Sequence, residues 1–149
     1  MTPISKGEEM KKLVAVRGAA NHGKSSSIKK FYELLMHQHP AAHAEEIFVG
    51  NDITVIVTVD GMKIGIESQG DPNSRLFASL ARFVREGCEV IVCATRTRGR
   101  TVEAVASLSA KYQVEWLEKE YVPTPELHGA ANTMLAKKIL CSVQAALDA

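Results

Sequence analysis

Leu13-Val14-Ala15-Val16-Arg17-Gly18-Ala19-Ala20-Asn21-His22-Gly23-Lys24-Ser25-Ser26-Ser27-Ile28 decides how the chain is read. Its first four residues are an unbroken apolar run, the pattern of a short strand buried on both faces. The run stops at Gly18, and after Ser25 the spacing changes. Ile28, Phe31, Tyr32, Leu34 and Leu35 fall at helical intervals, and the helix ends near His39 because Pro40 disfavours helical geometry in the residue before it. Between strand and helix stands Gly18-x-x-x-x-Gly23-Lys24-Ser25, a complete GxxxxGK[ST] pattern in the context that gives it meaning. The glycines let the backbone curl so that successive N–H groups face an anion, and the helix start adds its positive dipole end. Gly18, Ala19, Ala20, Asn21, His22, Gly23, Lys24, Ser25 and Ser26 are therefore the expected phosphate-binding residues. Lys24 suits the β- and γ-phosphates as a point charge, and the Ser25 hydroxyl suits Mg²⁺. His22 either touches phosphate or faces water.

Outward from this stretch, strand and helix signals alternate. Residues 51–59 and 62–67 are β-branched runs joined by Asp60-Gly61, a hairpin signal, since both residues tolerate the positive φ of a type I′ turn. Leu76, Phe77, Leu80, Phe83 and Val84 mark an amphipathic helix that Gly87 can end. Glu89–Ala94 reads as a strand covered on both faces, Thr101 as the cap of a helix to about Tyr112, and Val114–Leu117 as a further strand. Thr124 and Pro125 fit the start of a closing helix whose apolar row is Leu127, Ala131, Leu135, Ile139, Val143 and Leu147. The order β-α-β-β-α-β-α-β-α predicts an α/β fold. Its expected form is a single three-layer α/β/α domain whose mainly parallel sheet carries one antiparallel hairpin strand.

The chain has 149 residues, 46% of them hydrophobic and 23% charged, which suffices for one packed domain without disulfide or metal staples. A flexible segment 1–10 followed by a domain over 11–149 is the expected organisation. The net charge of +1 calls for neither nucleic acid nor an anionic membrane, so any basic site is local. No apolar run approaches the ~20 residues of a membrane span, and Met1–Lys12 lacks the apolar stretch of a signal peptide. Cys88, Cys93 and Cys141 are odd in number and embedded in apolar sequence. They read as reduced, buried thiols of a cytoplasmic protein, with Met134 and Trp116 as further core residues.

On these motifs the chain resembles the P-loop NTPase superfamily, and its element order is similar to that of Ras-like small NTPases. The resemblance implies a carboxylate across from the loop at a strand end, where Glu67 stands. Glu67-x-x-Gly70 resembles the DxxG motif of Ras-like GTPases with Glu in place of Asp, which implies Glu67 with Ser25 at the metal and a Gly70 N–H on the γ-phosphate. Asp71 then falls where those proteins often carry a water-positioning Gln. Asp52 and Thr54 precede the hairpin where a further metal ligand would arrive. The guanine-reading Asn-Lys-x-Asp of those GTPases is absent, since Thr95-Arg96-Thr97-Arg98-Gly99-Arg100-Thr101 occupies that place. ATP is thus favoured over GTP.

Arg96, Arg98 and Arg100 alternate in a loop leaving the carboxyl end of a strand, the edge where ligands bind in open α/β sheets. They suit a γ-phosphate, a second phosphorylated substrate, nucleic-acid phosphates, or plain solvation, and Arg96 is nearest the strand. His37, His39 and His43 lack the spacing of a zinc site. The expected function is Mg²⁺-dependent hydrolysis of the β–γ bond of ATP or GTP, with Lys24, Arg96 and Asp71 as catalytic residues. A small-molecule phosphotransferase and a nucleotide-binding module with little turnover are the alternatives. A protein partner or homodimer is compatible with each, a membrane is not expected, and nucleic acid is left open only through the three arginines.

Overall fold

A computed structural model describes residues 10–20 and 23–149, so the expected loose segment lies, except for Met10, outside the described residues. In chain order the elements are β1 (Lys11–Arg17), α1 (Lys24–Gln38), β2 (His43–Val49), β3 (Ile53–Val59) and β4 (Met62–Glu67). They continue as α2 (Leu76–Arg85), β5 (Val90–Thr95), α3 (Arg100–Ala106), β6 (Tyr112–Glu118), a 3₁₀ turn (Pro125–Leu127) and α4 (His128–Asp148).

The six strands form one sheet in the order β2-β3-β4-β5-β1-β6. Only β3 runs against the others, because its pairings with β2 and β4 are antiparallel and the remaining pairings are parallel. The β3–β4 hairpin turns at Asp60 and Gly61, with φ of 50° and 83°, as the sequence predicts. Strands β3 and β5 are buried almost throughout, and β1 is buried over Leu13–Val16, which explains their apolar residues on both parities.

Two helices cover each face. Ile28, Phe31 and Leu35 of α1 and Leu135, Ile139 and Val143 of α4 pack with Val14, Val16, Val92 and Ala94 on one side. Leu76, Leu80 and Phe83 of α2 and Val105 of α3 pack with Leu13, Ala15, Ile91 and Cys93 on the other. The alternation of β1 side chains between these clusters is the period of two made physical. Full burial of each Val, Leu, Ile or Phe side chain among them contributes about 1.5–3 kcal/mol, so the sheet centre is the most firmly held part of the molecule.

The structure corrects several readings. Residues 43–49, assigned no element from sequence, form edge strand β2, whose mostly exposed side chains leave no apolar alternation to see. The helix after Thr101 ends at Ala106 rather than near Tyr112, which opens β6. Gly99, not Thr101, precedes α3, and Thr101 is buried with its hydroxyl accepting the Arg96 N–H at 3.0 Å. The Thr124-Pro125 signal starts a 3₁₀ turn, and α4 follows from His128. Met134 is 64% exposed and Cys141 is exposed, so neither belongs to the core. Cys88 and Cys93 are buried, and burial pushes their thiols up to about 11 and about 12.

Candidate functional site

Strands β1, β4, β5 and β6 are mutually parallel, so their carboxyl ends open on one edge of the sheet. The chain leaves β1 toward α1 on one face and leaves the adjacent β5 toward α3 on the other. Two neighbouring strands whose connections part in opposite directions define a switch point, and a crevice opens between their ends. Gly18–Ala20 and Gly23–Ser25, the described parts of the loop, stand there.

Lys24 is only 7% exposed. Its Nζ donates to the carbonyl oxygens of Gly18 at 2.6 Å and Thr95 at 2.7 Å, one at the end of each switch-point strand. Burial, together with the charge of Arg96, pulls the ammonium down to about 8 against the opposing influence of Asp71. Gly23 has φ of +91°, and a Cβ there would meet Asn132 Oδ1 of α4 at 2.6 Å, so conformation and space both demand glycine. Ser27 secures the loop's exit by donating from its N–H at 3.0 Å and its hydroxyl at 2.8 Å to the Gly23 carbonyl. Asn21 and His22 lie outside the described residues.

A cleft of about 460 Å³ opens over this loop, a size suited to a small ligand. Ala20, Gly23, Lys24, Ser25 and Ser26 line it, facing Asp52 and the segment Ser68–Asp71. Gly18 and Ala19 shape the loop without lining the cleft. Gly70 is packed so closely that a Cβ would stand 2.5 Å from the Ala94 carbonyl, which brings its backbone against the end of β5.

The carboxylate beside Ser25 is Asp52. Its Oδ1 accepts from the hydroxyls of Ser25 at 2.6 Å and Ser68 at 2.9 Å. Ser68 is fixed in turn by the Ile53 N–H, which donates to its Oγ at 2.8 Å. Two hydroxyls and one carboxylate are hard oxygen donors of the kind Mg²⁺ takes alongside phosphate oxygens and water, so the donor set fits that ion. No group of three His, Cys, Asp or Glu side chains suited to a metal occurs among the described residues, His37, His39 and His43 included.

Glu67 sits elsewhere. It is fully buried and absent from the cleft wall. Its Oε1 accepts from Thr54 and Ser79, each at 2.6 Å, and its Oε2 from the Gln69 N–H at 3.0 Å and Arg75 at 3.5 Å. Both oxygens are spent on holding β3, α2 and the loop between β4 and α2 together, and Thr54 is spent with them.

The three arginines go to three places. Arg96 brings Nε and Nη2 to within 3.0 Å of Asp71 Oδ1, pairing the two residues expected to act on phosphate. Asp71 lines the cleft, and Arg96 is not part of its wall. Arg100 lies over the Phe77 ring at 5.2 Å, and Arg98 is exposed. Sequence reading assigned no role to Ser68, Gln69, Lys119, Tyr121, Val122, His128 or Asn132, all of which line the cleft. The only trace in the sequence is position, since Ser68 follows the hairpin and Lys119 follows β6.

No protein-family description, no curated protein and no solved structure matches the chain. No described helix is long and apolar enough to cross a membrane.

Proposed function

We propose that the cleft binds a Mg²⁺–nucleoside triphosphate, ATP favoured over GTP, and that the chain hydrolyses its β–γ bond. One observation carries this reading: the sequence holds a complete GxxxxGKS motif, and its described residues flank the sheet's switch point, with the lysine buried between the ends of β1 and β5 and the serine bonded to a carboxylate. Glycine-cradled N–H groups and Lys24 would hold the phosphates, and Gly70 would bring a backbone N–H toward the terminal one. Ser25 and Asp52 would hold Mg²⁺, with Ser68 orienting the carboxylate, which moves the expected metal ligand from Glu67 to Asp52. When bound, the ion neutralises charge developing on the phosphates. Asp71 would orient the attacking water. Arg96 would fix Asp71 and answer the charge of the γ-phosphate in the transition state.

The structure favours hydrolysis over phosphotransfer in one respect. Residues 43–49, where an acceptor-binding insertion could follow α1, are a strand of the sheet.

The test is nucleotide binding and phosphate release by the full chain with Mg²⁺, in parallel with Lys24→Ala checked for folding by circular dichroism. The expected result is ATP binding and free phosphate from the parent, and at least ~100-fold weaker binding by the variant, since a charge-assisted phosphate contact is lost. Equal binding by a folded Lys24→Ala protein sinks the assignment of the loop. Binding without phosphate release leaves a nucleotide-binding module, and ADP formed only with an added nucleoside identifies a phosphotransferase.

A further inference from the structure

Asp52 reaches the cleft from the turn of residues 50–52 between β2 and β3, so its carboxylate is only as well placed as that turn. On one side the turn is tied to the segment after β4. The Ser68 N–H donates to the Ile53 carbonyl at 3.0 Å, and the Ile53 N–H donates to Ser68 Oγ at 2.8 Å. Within the turn, the Gly50 N–H donates to the Asp52 carbonyl at 3.0 Å. The remaining tie comes from α1. Lys29 Nζ donates to the Asn51 carbonyl at 2.8 Å, and Ser25 Oγ stands 3.5 Å from the same oxygen.

Ser25 and Lys29 are four residues apart on α1, so their side chains lie on one face of the helix. Further along that face the Tyr32 hydroxyl donates to Glu46 Oε2 of β2 at 3.0 Å. The face that begins at the phosphate loop thus meets both the edge strand and its turn. Lys29 makes no ion pair among the described residues, so the Asn51 carbonyl is the group its ammonium serves.

A cation would affect these ties differently. The Ser25 hydroxyl donates to Asp52 at 2.6 Å, and both groups belong to the donor set that fits Mg²⁺. Once both turn to the ion, the bond between them no longer secures the turn to α1. Lys29 holds a main-chain oxygen one residue away and competes with neither donor.

We propose that Lys29 is a positioning residue for the metal site: by holding the Asn51 carbonyl it fixes the turn that presents Asp52 beside Ser25. The proposal rests on the metal role given above to Asp52 and Ser25, and adds to it a residue outside both the motif and the cleft wall. Its sign separates it from plain electrostatics. An ammonium near a bound dication repels it, so loss of the charge alone would tighten Mg²⁺. Loss of the support for a ligand weakens it.

The test titrates Mg²⁺ into the full chain with ADP and, in parallel, GDP, neither of which has a β–γ bond to break. Binding is read by calorimetry. Lys29→Met keeps the stem and removes the donor. It is expected to raise the Mg²⁺ concentration for half-maximal nucleotide binding about three- to tenfold, the range that one net hydrogen bond supplies. Metal-free nucleotide binding stays at the parental value, and Tm stays within about 2 °C, as for a surface substitution. Lys29→Arg, which can donate to the same carbonyl, keeps the parental midpoint. So does Tyr32→Phe, which loosens α1 from β2 away from the turn. In an Asp52→Asn background Lys29→Met adds no further shift, because the carboxylate it serves is gone.

An unchanged or lowered midpoint in Lys29→Met overturns the proposal. So does an equal shift from Tyr32→Phe, an arginine variant as weak as the methionine one, or a full additional shift in the Asp52→Asn background. A Lys29→Met protein that binds nucleotide equally poorly with and without metal overturns it as well. Parental binding that ignores Mg²⁺ removes the metal site and the role of Lys29 with it, while the loop assignment stands. Failure of the parent to bind either nucleotide removes the loop too.

Discussion

The turn between β2 and β3 and the end of β4 each bring one carboxylate to the same edge of the sheet, and the two acids have opposite fates. Asp52, on the turn, shares Oδ1 between Ser25 and Ser68 and faces the cleft. Glu67, at the strand end, is buried, with both oxygens partnered by Thr54, Ser79, Gln69 and Arg75. A carboxylate held by four donors is structural, whereas one held by two hydroxyls at the mouth of a cleft is available to a cation. The sheet order adds a reason. Strand β5 lies between β1 and β4, so the end of β4 is one strand removed from the loop strand.

The sharpest way to break this contrast is to neutralise each acid without changing its shape. Glu67→Gln places an amide N–H₂ among groups that already donate. It is expected to destabilise the fold by about 3 kcal/mol, the scale of a broken buried charge network. That corresponds to a fall in Tm of about 6–12 °C. Asp52→Asn should leave Tm within about 2 °C and raise the Mg²⁺ concentration needed for nucleotide binding about tenfold or more. Thermal melts and magnesium titrations of the pair decide. A Glu67→Gln protein with an unchanged melt and a shifted magnesium dependence would exchange the two roles.

Next in size is the pair behind Asp71. An arginine that answers charge only in the transition state lowers kcat when truncated and leaves KM nearly alone. Arg96→Ala is expected to lose on the order of 10²-fold in kcat, about 2.7 kcal/mol. Asp71→Asn should lose a comparable factor, and the double variant little more than either single one, because each acts through the other. Losses that multiply in the double variant would separate the two residues, and an Arg96→Ala effect confined to KM would make the arginine a binding group.

Lys24 provides a pH test of the same edge. Its ammonium titrates near 8 in the folded chain, below the ordinary lysine value of 10.5. Between those values the unfolded chain holds the proton and the folded chain does not, so this lysine's burial opposes folding below pH 8, and stability rises as pH climbs from 8 toward 10.5. Nucleotide binding runs the other way. A phosphate beside Lys24 restores the proton, so affinity falls by up to about tenfold per pH unit above 8, with Lys119, also lowered by burial, acting in the same direction. Isothermal titration between pH 7 and 10 should show proton uptake on binding. A flat profile would place the phosphates away from both lysines.

The half of the cleft built on the Gly23–Ser25 turn is legible in the sequence because its demands are local. Glycine at 23, lysine at 24 and serine at 25 are required by one tight turn and its helix, and all three lie in eight consecutive residues. The hairpin is legible for the same reason, since Asp60-Gly61 names its turn. The acid at the cleft was not, because choosing Asp52 over Glu67 depends on what surrounds each carboxylate, and Thr54, Ser79 and Arg75 converge on Glu67 from three elements. Edge strand β2 escaped because most of its side chains are exposed, with only Ala44 and Ile47 partly covered, leaving no period to read. Lys119 and Asn132 reach the loop from 95 or more residues downstream, and nothing in their own neighbourhood announces the contact.

Arg100 carries the smallest expected effect, and it sharpens the contrast between arginines that share a loop and not a task. It opens α3, where a positive charge meets the positive end of the helix dipole and gains nothing from it. Its guanidinium lies over Phe77 at 5.2 Å, on the surface, where such contacts contribute about 0.5–1 kcal/mol. The two effects oppose each other. Arg100→Ala should therefore shift stability by no more than about 0.5 kcal/mol, the ordinary range for a surface substitution. It should leave kcat, KM and nucleotide affinity at parental values, because Arg96 alone of the three reaches a residue that lines the cleft. Steady-state kinetics on Arg96→Ala and Arg100→Ala side by side make the comparison. A kcat loss of similar size from both would mean that the loop acts on the phosphates as a unit, with the Arg96–Asp71 pair only one of the arrangements it adopts.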